Sequence, residues 1–154
     1  MTPLFKKLNF KNHLKILAIN APSSFDGELI QMEPFTKVYK HEKQLAVIDF
    51  ALAFVTKQTE IDKTISTLFP KLIGDAVLWF CYPKGTSKKY QCDFNRDTGW
   101  SGLGAYNLEG VRQVAIDEDW SALRFRKIEF IKKLARREGV ALSEEGKMRT
   151  KKGG

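Results

Sequence analysis

The chain reads as a three-layer α/β sandwich with a mainly parallel sheet and a C-terminal antiparallel hairpin. Three observations predict this. Short runs that are apolar on both faces recur at 14–20, 45–55 and 76–82, as strands covered on both sides by helices require. Between the last two of these, Ile61, Ile65, Leu68, Phe69 and Leu72 recur at helical spacing. Strand and helix therefore alternate, the signature of crossover connections in a parallel sheet. Lastly, two β-rich segments, 111–116 and 121–127, are only four residues apart, a hairpin separation.

Taken in order, residues 1–13 form a preamble with one short helix through Phe5, Leu8 and Phe10. The first strand, 14–20, ends at Asn20-Ala21-Pro22, where proline stops the ladder. Cap-type residues then lead into a short helix over 25–32, closed by Pro34. Alternating β-formers at 35–40 make a second strand at one edge of the sheet. The most apolar stretch, 45–55, holds a strand centred on 50–55. A helix follows over 59–72, with Thr59 and Asp62 as a capping box and Gly74 beyond its end as the C-cap glycine. The strand over 76–82 is ended by Pro83. A polar loop of about 15 residues follows, and the small residues of 99–108 suit a helix packed closely on the sheet. The hairpin completes a single domain over 1–127. Residues 128–154 read as a basic helix to Val140 and a flexible tail.

Composition excludes several classes. With 154 residues, 43% hydrophobic and 29% charged, the chain can bury a core without disulfide or metal staples. Two cysteines are too few for a disulfide framework or a metal cage, so no metal site is expected. No apolar run approaches the roughly 18 residues of a membrane span. The first twelve residues carry lysines without the apolar core of a signal peptide. The net charge of +8 is unevenly spread. Residues 124–154 hold eleven basic and four acidic side chains, so the first 123 residues are nearly neutral. A basic tail suits either polyanion contact or simple solvation. If it binds nucleic acid, Lys132, Lys133, Arg136 and Arg137 are its contacts.

The motifs of common chemistries are missing. A dinucleotide site needs glycines after the first strand, so that backbone amides can approach a pyrophosphate. Here that turn carries one late glycine and a proline where a donor is wanted, so no cofactor of that kind is expected. The loop 84–89 has the ingredients of a P-loop without its order, and no G-x-S-x-G elbow is present. His13 and His41 sit in no catalytic or metal spacing. Ligands of open α/β sheets bind beyond the carboxyl ends of the strands. On that edge the sequence places Asn20, Ser23, Tyr82, Lys84, Ser87, Lys88, Asp93 and Arg96, the one dense polar constellation outside the tail. It would suit a small anionic ligand held by the lysines and Arg96, with Asp93 ordering them. The same loop reads equally as a solvated crossover whose Asp and Asn residues cap the next helix. Trp100 reads as a stacking platform or as a ring packed on the sheet. Cys92, among Lys88, Lys89 and Arg96, would be a reactive thiol if those cations lower its pKa. Asp117, Glu118 and Asp119 form an acidic turn that reads as a cation site, or more simply as solvated or paired with Arg124 or Arg126.

At the level of fold, the predicted arrangement is similar to a shortened Rossmann or methyltransferase-type sheet, which says little about chemistry. The stretches 74–84, 92–100 and 114–125 (GDAVLWFCYPK, CDFNRDTGW and VAIDEDWSALRF) resemble a family of short bacterial proteins without assigned activity. More loosely, they resemble an actinobacterial family of unknown function, through the strand-then-Pro-Lys pattern and an Asp-Trp-Ser-x-x-Arg. The resemblance spans roughly 45–127 and implies a bacterial cytosolic protein. The resemblance supplies no activity, and beside nucleic-acid binding through the tail two function classes stand. One is a non-catalytic ligand-binding or regulatory protein. The other is a small degenerate transferase acting on a phosphorylated or S-adenosyl substrate in the same crevice.

Overall fold

The computed structural model describes residues 1–95 and 97–131. Its six strands are β1 (Lys15–Ile19), β2 (Lys37–Tyr39), β3 (Ile48–Phe54), β4 (Leu72–Pro83), β5 (Leu108–Ala115) and β6 (Trp120–Lys127). They form one sheet in the order β2-β1-β3-β4-β6-β5. The first four are mutually parallel, and β6 runs antiparallel to both of its neighbours. The predicted architecture is therefore present, with β2 at one edge as expected. No helix among the described residues is long and apolar enough to cross a membrane.

Three helices make the outer layers: α1 (Pro3–Lys7), α2 (Asp26–Met32) and α3 (Gln58–Leu68). On one face, Phe5, Leu8, Phe25, Leu29 and Met32 pack on Ile16, Phe50, Leu52, Phe54 and Trp79. On the other, Ile61, Ile65 and Leu68 of α3 cover Leu17, Ala51, Ala53, Leu78 and Phe80. Strand alternation sends Phe50, Leu52 and Phe54 one way and Ala51 and Ala53 the other. That is why 45–55 reads as continuously apolar. The short α1 is held by its ends. Thr2 Oγ1 accepts from the Phe5 N–H at 3.1 Å, and Trp79 Nε1–H donates to the Leu8 carbonyl at 2.8 Å.

Several local expectations need correction. The capping box of α3 does not use Thr59 and Asp62. Glu60 Oε1 reaches back to the Thr56 N–H (2.8 Å) and the Lys57 N–H (3.0 Å), so the box starts earlier, at Lys57 instead of Thr59, with Glu60 in place of Asp62. A longer side chain starting closer to the cap spans that gap, and Asp62 instead lies against Gly102. Gly74 is not a C-cap. The helix ends at Leu68, a 3-10 turn over Phe69–Lys71 follows, and Gly74 sits inside β4 at φ +53°. There β4 bulges: Ile48 pairs with Leu72, while Phe50 pairs with Val77. The segment after Gly99 is a 3-10 helix over Ser101–Tyr106, closed by Asn107 in the left-handed conformation. The C-terminal helix predicted over 128–140 begins as a 3-10 turn at Ile128–Phe130, and the rest lies outside the described residues.

Candidate functional site

A cleft of about 660 Å³ opens at the carboxyl end of β4, on the α3 side of the sheet. Its size is that of a small-ligand site. Strand ends make the floor. Tyr82 lies opposite Ser121 of β6, and its hydroxyl accepts from Gln113 Nε2 of β5 at 3.1 Å. The Tyr82 ring packs at 5.8 Å from Phe94 and 5.5 Å from Trp100, centroid to centroid, so two aromatic contacts fix its position.

One wall is the turn after Pro83. The Lys84 N–H donates to the Asp119 carbonyl at 2.8 Å, and the Ser87 N–H returns to the Lys84 carbonyl at 3.0 Å. Ser87 Oγ donates to Asp119 Oδ1 at 2.8 Å and accepts from the Tyr90 N–H at 3.1 Å. Asp117 in turn holds the acidic turn, its Oδ1 accepting from the N–H groups of Asp119 and Trp120 at 2.8 Å each. Asp117 thus organises the backbone of the turn, and Asp119 ties it to Ser87. Among the described residues no group of His, Cys, Asp and Glu is placed to hold a metal ion. Arg126, one of the expected partners of that turn, pairs with Asp75.

The opposite wall is 90–95. Asp93 ties it to α3: its N–H donates to the Thr56 carbonyl at 3.2 Å, and its Oδ1 accepts from the Gln58 N–H at 2.8 Å. Asn95 Oδ1 accepts from the Asp97 and Thr98 N–H groups, and the Asn95 carbonyl accepts from Trp100 Nε1–H at 2.8 Å. A long polar loop is thereby turned into a frame.

The candidate residues divide accordingly. Tyr82, Lys84 and Ser87 line the cleft. Asn20 and Ser23 lie past the end of β1, with β3 between them and β4, and do not reach it. Lys88 is exposed on the loop and points no donor into the lining. Asp93 is a helix cap, as the structural reading of the loop allowed, but for the helix before it. Trp100 is 4% exposed and wedged among Phe80, Tyr82, Phe94 and Phe125, so it is a core ring and no platform. Arg96, Lys132, Lys133, Arg136 and Arg137 lie outside the described residues. Cys92 lines the cleft, but its thiol is pushed up, first by burial and then by Asp93 and Glu60, against a hydrogen bond from the Phe94 backbone. The expected activation by cations is not what this neighbourhood does. Sequence reasoning missed Gln113, Ser121 and Tyr90. The signal lay in the hairpin: once β6 is placed against β4, its first residues must lie at the carboxyl edge.

No family model matches the chain, and no curated protein matches it. Solved structures do. A SAM dependent methyltransferase from Aquifex aeolicus superposes with a TM-score of 0.53 at 11% identity, over 81% of this chain and 88% of that one. The scaffold is Rossmann-like. Two further structures align less closely. One is a protein in the NADB-Rossmann superfamily from Streptococcus agalactiae (TM-score 0.48, 10% identity, 82% of this chain and 68% of that one). The other is the N-methyltransferase NodS from Bradyrhizobium japonicum (0.46, 15%, 73% and 85%). At such identities the likeness is one of fold, and the Rossmann-like scaffold itself hosts many chemistries.

Proposed function

We propose that the chain is a non-catalytic binding protein for a small anionic ligand, held in the cleft at the end of β4. The lining of that cleft carries the reading. Lys84 is its one charged side chain among the described residues, and Ser87, Asn95, Gln113 and Ser121 add hydroxyl and amide groups around it. Tyr90, half-buried, supplies an aromatic ring at one side. This is the pattern of a binding pocket: apolar area for affinity, and a few polar groups for orientation. The described lining holds no carboxylate and no imidazole, its one thiol is held toward the neutral form, and Asp119, which accepts from Ser87 Oγ, serves to hold the turn.

A second reading is favoured by the fold likeness to a SAM dependent methyltransferase. Group transfer between two bound molecules needs placement more than acid–base chemistry. The cleft would take the acceptor, and the turn after β1, where Asn20 stands at φ +55°, would lie beside the donor.

Thermal unfolding against a panel of nucleotides, sugar phosphates and S-adenosylmethionine tests both. At 100 times its dissociation constant a ligand stabilises by about 2.7 kcal/mol, a shift of several degrees in a domain of this size. A shift that Lys84→Ala removes, with no turnover, is the expected result. S-adenosylmethionine as the stabilising ligand, with methyl transfer to any panel member, would replace the first reading by the second. A shift that Lys84→Ala leaves intact would remove the cleft assignment.

A further inference from the structure

The sheet face that packs on α1 and α2 carries a second feature, unconnected with the cleft. Ala18, Leu52, Trp79, Arg124 and Arg112 stand in one row across β1, β3, β4, β6 and β5, each the register partner of the next. The first three are buried under the helical layer, and Trp79 is bonded to the end of α1. Where that cover ends, the row continues with two arginines directly opposite one another. A register shift between Gly110 and Arg112 precedes this pair, and like charges on opposed residues of neighbouring strands repel.

Among the described residues no acid forms an ion pair with either arginine. Asp75 is committed to Arg126, which donates to it through Nε at 3.1 Å and Nη2 at 2.6 Å. Asp49 acts on His13 and makes no ion pair with either arginine. Glu109, opposite Arg126 in the ladder, is fully buried and already engaged. Arg124 is half-buried, and its Nε is buried with no hydrogen-bond partner among the described residues. Its guanidinium is held below the usual arginine range, first by burial, then by Arg126 and less by Arg112, with Asp75 opposing them. A buried donor left unmade costs roughly 1–3 kcal/mol, which an incoming acceptor recovers.

We propose that Arg112 and Arg124 form an anion site for a phosphate group. A carboxylate is filled by one guanidinium fork, whereas a phosphate dianion presents three strong acceptor oxygens and two charges. Two adjacent forks match it, and the bound anion turns their repulsion into attraction. The half-buried placement of Arg124 suits one discrete phosphate of a small ester.

Calorimetric titration of the full chain with inorganic phosphate and with pyrophosphate, at low ionic strength, tests the assignment. Arg112→Gln and Arg124→Gln are each expected to weaken pyrophosphate at least about tenfold. A variant with Lys132, Lys133, Arg136 and Arg137 all changed to Gln is expected to leave it unchanged. Arg112 is exposed, so Arg112→Gln tests the site even if Arg124→Gln fails to fold. With repulsion relieved, unliganded Arg112→Gln is expected to melt no lower than the parent. A short single-stranded DNA separates a small ester from a polymer phosphate. Binding of either probe that needs Arg112 supports the site, and the tighter probe names the source. Three results overturn it: no binding of any probe at millimolar concentration, binding indifferent to Arg112→Gln and Arg124→Gln, or an unliganded Arg112→Gln that melts well below the parent.

Discussion

Ser87 Oγ donates to Asp119 Oδ1 at 2.8 Å, and this bond joins the loop after β4 to the turn between β5 and β6. The same oxygen accepts from the Tyr90 N–H, so one hydroxyl sets both the wall of the cleft and the ring of Tyr90, which lies 4.9 Å from Trp120. Ser87→Ala is expected to cost about 1 kcal/mol, a fall of roughly 2–4 °C in Tm. The sharper readout is amide exchange. The Tyr90 amide loses its acceptor and is expected to exchange faster, while β3 amides keep their protection. Unchanged exchange at Tyr90 would mean that the loop is held elsewhere.

Gly99 carries the second prediction. Its φ is +91°, and a Cβ built there would stand 2.6 Å from Phe94 Cβ. Phe94 itself packs at 5.0 Å from Trp100, so it has little room to retreat. Gly99→Ala is expected to destabilise by about 1–3 kcal/mol through backbone strain alone, with overpacking added. Gly27 is the control. It lies in α2 with nothing within 4 Å of an added Cβ, and Gly27→Ala is expected to gain about 0.4–1 kcal/mol. Urea midpoints at unchanged slope would show the two effects with opposite sign.

Trp79→Phe keeps a ring in the core but removes the indole N–H that reaches the Leu8 carbonyl, 71 residues away in sequence. The carbonyl is then buried without a donor, at a cost of about 1–3 kcal/mol. Since α1 has only five residues, this bond is a main tether of its C-terminal end. Limited proteolysis is expected to cut within residues 1–12 of the variant well before the parent. Equal cleavage rates would show that Phe5 packing alone holds α1.

These sites differ in how far the sequence reveals them. The strands β1, β3 and β4 are legible because burial on both faces leaves no polar alternation. The face of α3 is legible because Ile61, Ile65 and Leu68 repeat at helical spacing. The partner of β6 is not. Alternation along 121–127 says that the strand has two faces, but register against β4 is a property of two distant segments. Placing Ser121 opposite Tyr82, and Arg124 between Trp79 and Arg112, needs that pairing. Trp100 stayed ambiguous for the same reason: the rings that bury it, Phe80 and Phe125, belong to other strands.

His13 gives the pH prediction. Its imidazole packs at 5.1 Å from Phe50 and 5.6 Å from Phe10, and Nδ1 accepts from the Lys11 N–H at 3.1 Å. Burial holds its pKa below the ordinary histidine value, Arg124 lowers it further, and Asp49 opposes both. The folded chain therefore resists protonation more than the unfolded chain does. As pH falls below about 6.5, the unfolded state takes up the proton first, and stability drops until the folded value is passed. Glu60 acts in the same sense at lower pH. Burial would raise its pKa, but hydrogen bonds from Thr56 and Lys57, with the Lys57 charge, lower it, so its contribution is lost as acid protonates the cap. Two steps of acid destabilisation are expected, and each has its own variant. His13→Gln is expected to flatten the step just below pH 6.5 and leave the carboxylate step. Glu60→Gln is expected to do the reverse. An imidazole of His13 that titrates in the folded chain above the ordinary value, read by proton NMR, would reverse the sign and show that Asp49 outweighs burial.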